Sequence, residues 1–140
     1  MNLLELHPDY LTALAGHFGF LGAFLGGVAA TFFVTLLTLG QPSTVERAAL
    51  ALGAVAALAF IVTASMSVDV VATSHPNAPA GVASKANPFP QVAMALSFFV
   101  GITTLLAAIG VSGWSRSRKL GILTTGAALI AAIPVAYAAF

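Results

Sequence analysis

One acidic side chain inside a long apolar run is the first feature of this sequence that could do chemistry. Asp69 lies within the run 48–74, about six residues from its end, or roughly 8–9 Å at 1.5 Å per helical residue. An ionised carboxylate in hydrocarbon costs a few kcal/mol at mid-bilayer and less near the interface, so Asp69 is expected to face protein or water. Ser65, Asp69 and Thr73 recur at four-residue intervals and therefore share one face of a helix. Counting inward from the ends of the neighbouring apolar runs brings Gly22, Ser97, Pro134 and Tyr137 level with Asp69. Pro134 cannot donate to the carbonyl of Ile130, which leaves an acceptor free at that depth. Two roles follow for a pocket of Asp69, Ser65, Thr73, Ser97 and Tyr137. It is a proton, cation or ligand counter-ion site, or it is a hydrogen-bonded acid that holds helices together.

The histidines offer a second chemistry. His7, His17 and His75 fall on the same expected side of the membrane as Glu5, Asp9 and Asp69, which leaves Glu46 as the only acid on the other. Imidazole suits zinc, copper and haem iron, and His17 and His75 stand at adjoining ends of the first two apolar runs, as bis-histidine haem ligation would need. Against this, the chain has no HxxxH or HxxE spacing, and His7 and His75 each precede a proline. The cofactor stays open between none and a haem or metal.

Other chemistries are excluded or lack their residues. The absence of cysteine removes disulfides, thiolate metal sites and cysteine nucleophiles. No G-x-S-x-G elbow, P-loop, HExxH or strand-linked GxGxxG occurs. A net charge of +1 and the lack of an extended basic stripe argue against nucleic acid as a partner. With short connections leaving little room for a soluble active site, the chain is expected to be non-enzymatic.

The elements that position these residues come from apolar run length. Charged residues make up 6% of the chain and hydrophobic ones 59%, with a mean hydropathy of +1.02, whereas a soluble domain carries roughly 25% charged residues. Runs of about 20 apolar residues, enough to cross a bilayer, occupy 16–39, 48–74, 91–113 and 120–140. No ten-residue alternation of the barrel type appears, and a lipid-embedded backbone must satisfy its own hydrogen bonds, so the runs are expected to be helices. The fold class is all-α: one membrane domain over 1–140, a four-transmembrane-helix bundle. Turn chemistry at residues 40–43 and four prolines with Gly81 in the 75–90 loop separate the spans. Leu3, Leu4, Leu6, Tyr10, Leu11 and Leu14 recur at helical intervals and predict a short N-terminal helix lying in the interface.

Arg47 lies in the first connection and Arg116, Arg118 and Lys119 in the third, against Lys85 alone in the second. The positive-inside rule then places the first and third connections in the cytoplasm. Both termini and the 75–90 loop are expected outside, in the periplasm if the membrane is a bacterial inner membrane. Trp114 suits an interfacial anchor.

The first span carries Gly19, Gly22, Gly26 and Ala30, small residues that let another backbone approach closely in lipid. This face is either ordinary packing within the chain or an interface to a subunit or cofactor. Minimal loops, few ionisable groups and this Gly-rich face together point to a small accessory subunit of a larger membrane complex. Its expected partners are the bilayer and either other membrane subunits or further copies of itself. A homo-oligomeric proton- or ion-coupled transporter using Asp69 is the alternative.

Overall fold

A computed structural model describes residues 7–38, 43–83 and 87–139. The turn at 40–42, Lys85 and Phe140, together with Leu3, Leu4, Glu5 and Leu6, lie outside the described residues. Among the described residues the chain is helical and holds no strand: α1 (Pro8–Thr38), α2 (Thr44–Ser74), a single turn α3 (Ala80–Ala83), α4 (Pro88–Ser112) and α5 (Arg118–Ala139), with a 3-10 turn at Gly113–Ser115 between the last two. Four of these helices are long and apolar enough to span a membrane, and the protein is an integral membrane helical bundle.

The helix ends follow from local chemistry. Proline occupies the first position of α1, where its missing N–H costs nothing. Ser43 and Glu46 form a reciprocal capping box at the start of α2: the Glu46 N–H donates to Ser43 Oγ (3.2 Å) and the Ser43 N–H to Glu46 Oε2 (2.8 Å). Asn87 caps α4, its Oδ1 accepting from the Phe89 N–H at 2.9 Å.

The separate interfacial helix expected at the N-terminus is not a separate element among the described residues. From Pro8 onward the chain runs into the first span as one 31-residue helix. Nothing between Leu11 and Gly16 breaks an α-helix, and a buried Ala15 packs with Val70 and Met94, which ties this first stretch to the bundle instead of to the membrane surface.

The layout is a row rather than a closed square. α2 packs along its length against both α1 and α4, whereas α5 packs against α4 and the turn that precedes it. The buried positions of α2 are Ala49, Gly53, Ala56, Phe60, Thr63, Ser67 and Val70, alternating steps of four and three as in a heptad seam. Phe60 sits at the centre, fully buried, and packs with buried Ala29, Ala56 and Leu105. Outer faces of all four spans present large apolar side chains, among them Phe20, Leu58, Leu96 and Ile130, each more than 60% exposed. Such a surface suits lipid tails or other helices.

Candidate functional site

Close packing around Phe60 fixes the depth of every polar group nearby. On α1, a Cβ added to Gly26 would stand 3.2 Å from the Phe60 Cβ, and one on Gly22 would stand 3.3 Å from the Phe60 carbonyl oxygen and 3.1 Å from the Thr63 methyl group. A Cβ on Gly19 would overlap the Ser67 hydroxyl. Gly19, Gly22 and Gly26 thus form the line along which α1 lies on α2, while Ala30 is exposed and its neighbour Ala29 is buried. On the other side the Phe60 ring lies against Gly101 of α4 and meets Phe98 edge-on, with centroids 6.1 Å apart.

Between these helices runs one polar cross-link. Thr63 Oγ1 and Ser97 Oγ are 2.8 Å apart, joining α2 to α4. Each hydroxyl also lies within hydrogen-bonding distance of a carbonyl of its own helix, Ala59 at 3.0 Å and Met94 at 3.1 Å. Interhelical hydrogen bonds in lipid couple by about 0.6 kcal/mol on average and up to roughly 1.7. A double-mutant cycle of Thr63→Val and Ser97→Ala, read by unfolding in a detergent titration, is expected to show a coupling in that range. Strictly additive losses would mean that the two hydroxyls are satisfied by their own helices.

Ser97 was expected level with Asp69, and Gly22 likewise, but both meet Thr63 instead. Thr63 is about six residues, or roughly 9 Å, deeper than Asp69 along the helix axis. For α1 the offset follows from a start at Pro8, eight residues before the predicted 16; for α4 the start at Pro88, three residues before the predicted 91, accounts for about half of it. Tyr137 is 87% exposed and α5 makes no extended contact with α2. The five pocket candidates are therefore not gathered around one point.

Asp69 itself is exposed. It lies two residues beyond the buried Ser67, so about 200° around the helix and nearly opposite the seam. Its neighbours on that outer face are Leu58, Ile61, Val62 and Val68, all more than 40% exposed, together with exposed Ser65. The Ser65 hydroxyl donates to the Ile61 carbonyl at 2.9 Å, and that of Thr73 to the Asp69 carbonyl at 2.8 Å. Both hydroxyls are thus engaged by their own helix. No hydrogen-bond or ion-pair partner for the Asp69 carboxylate occurs among the described residues.

The histidines are dispersed. His7 Nδ1 lies 3.5 Å from Asp9 Oδ2 in an exposed pair. His75 Nδ1 accepts from the Asn77 N–H at 3.1 Å in the turn after α2. His17 is exposed, two residues or about 200° from the buried Ala15, on the side of α1 turned away from α2. The packing does not bring His17 and His75 to face each other, and no group of three His, Cys, Asp or Glu suited to a metal ion occurs among the described residues.

Sequence reasoning missed Thr63, Ser67 and Phe60 as candidates. Their signal was present as the four-three spacing from Ala49 to Val70, hidden behind the more conspicuous four-residue stripe of Ser65, Asp69 and Thr73. No protein-family model matches this chain, and neither a curated protein nor a solved structure shows significant similarity to it.

Proposed function

We propose that this chain is a small non-enzymatic subunit that packs into a larger membrane complex, with the outer face of α2 as its principal contact. One observation carries this: Asp69 stands on a largely apolar outward face, and its carboxylate has no partner among the described residues. A carboxylate facing lipid tails is costly even toward the edge of the hydrocarbon, and a neighbouring subunit that supplies a cationic or hydrogen-bonding group removes that cost. The row-like layout adds support, since the candidate spans of α1 and α5 are only 11% and 6% buried.

Purification of the tagged protein from its native membrane in mild detergent, followed by mass spectrometry and an absorption spectrum, tests the proposal. Larger membrane subunits are expected in stoichiometric amount, and a lone monodisperse chain would overturn it.

The same carboxylate favours a second function, a homo-oligomeric proton- or ion-coupled transporter, because a water-filled path between protomers would also solvate Asp69. A homo-oligomer whose flux is lost in Asp69→Asn would select this function over the first.

A further inference from the structure

α4 and α5 meet closely at their connecting turn and leave a groove beyond it. Gly113 and Gly121 make the close approach: a Cβ on Gly113 would lie 2.8 Å from the Leu120 carbonyl oxygen, and one on Gly121 within 2.6 Å of the Trp114 ring. The turn is fixed by a relay in which Trp114 Nε1–H donates to Thr125 Oγ1 (2.9 Å) and Thr125 Oγ1 donates to the Gly110 carbonyl (3.2 Å). Above it opens a cavity of about 290 Å³, walled by Thr103, Leu106 and Val111 of α4 and by Thr125, Ala132 and Val135 of α5. Its walls run from Val111 to Thr103 and from Thr125 to Val135, roughly 12–15 Å at 1.5 Å per residue. That is about half of a ~30 Å hydrocarbon core, the depth of one leaflet.

On the turn side of this groove stand Arg116 in the connection and Arg118 and Lys119 in the first turn of α5, six or seven residues, roughly 9–11 Å, before the wall residue Thr125; all three are exposed. None has a carboxylate in ion-pair reach among the described residues; the one ion pair found there is His7 with Asp9. Glu46, the sole acid in the connections at this end, is engaged in its capping box.

We propose that the α4–α5 hairpin is a binding site for one anionic phospholipid, its headgroup phosphate held by Arg116, Arg118 and Lys119 and an acyl chain seated in the groove. Three cations without a carboxylate partner among the described residues, about two helical turns to the turn side of a leaflet-deep apolar groove, match that ligand in charge, polarity and length, as basic pockets between transmembrane helices match anionic headgroups generally. A zwitterionic lipid would fill the groove equally well but would leave the cations uncompensated. Trp114, the chain's one tryptophan, stands at the junction of the two parts and reports on both.

The test reconstitutes the protein in phosphatidylcholine vesicles containing a minor fraction of brominated phosphatidylglycerol and reads quenching of Trp114 fluorescence. Quenching well above that from the same fraction of brominated phosphatidylcholine is expected. Each cation near an anionic surface contributes about 1 kcal/mol, roughly fivefold, so R116Q/R118Q/K119Q should lower the anionic preference by about a hundredfold. These residues are exposed, so this variant keeps its fold, which far-ultraviolet circular dichroism checks. Ala132→Phe, which fills the groove from its wall, should reduce occupancy while the cations remain. Equal quenching by the two brominated lipids in the unaltered protein, an anionic preference that survives the triple substitution, or undiminished quenching in Ala132→Phe would overturn the proposal.

Discussion

Asp69→Asn is expected to release the proposed partner subunit while leaving the fold intact. The carboxylate makes no hydrogen bond or ion pair among the described residues and sits on the face opposite the α2 seam, so its neutralisation removes nothing that holds α1, α2 and α4 together. Its effect belongs to whatever covers that face. Truncating one member of a desolvated charge pair costs 2–5 kcal/mol, much of it the penalty for the stranded partner, and 1.4 kcal/mol is a factor of ten. Recovery of the partner with the tagged chain should therefore fall more than tenfold, and Asp69→Glu should restore most of it. Ser65→Ala, on the same face, should have little effect because its hydroxyl is already bonded to Ile61. Undiminished recovery from Asp69→Asn membranes would remove this face as the contact.

Gly101→Leu is expected to be strongly disruptive to the α2–α4 packing. A Cβ at position 101 would stand 2.8–2.9 Å from three atoms of the Phe60 ring, and on the other side α1 packs so closely at Gly26 that a Cβ there would stand 3.2 Å from the Phe60 Cβ. The ring has nowhere to retreat, so α4 must move away from α2, which also stretches the Thr63–Ser97 hydrogen bond. Overpacking of this kind costs about 1–3 kcal/mol and at times more. In lipid that cost falls on van der Waals packing, because helices that separate stay in an apolar solvent. A detergent-unfolding titration should show the loss, and pairing Gly101→Leu with Phe60→Ala should recover part of it, since the second change vacates the space that the first one needs. A double variant no better than the worse single one would mean that the clash is not with Phe60.

The two expectations differ in what the sequence could reveal. Four spans and their helical nature were legible at once, because run length and the demand for internal backbone hydrogen bonding act on each segment separately, whereas the loop expected over 75–90 ends early, with Pro88 and Pro90 in the first turn of α4, where proline is tolerated. The presence of an acid in the second span was equally plain. Its surroundings were not. A stripe of Ser65, Asp69 and Thr73 looks like the lining of a pocket, yet in a helix that is apolar on every side no contrast between faces marks which one is turned inward. Small residues gave the better guide: Gly19, Gly22 and Gly26 lie against α2 because only there does the lack of a side chain bring two backbones together.

Composition and run length by themselves determined that this protein lives in a membrane as four helices, since those properties depend on solvent and on local hydrogen bonding alone. Only the tertiary structure decided that Thr63, and not Asp69, pairs with Ser97, that α5 joins the row through α4 and the turn after it, and that Asp69 is left facing outward. Register and facing depend on how the bulky Phe60 fits between Gly26 and Gly101, and such a fit exists only once three helices are side by side.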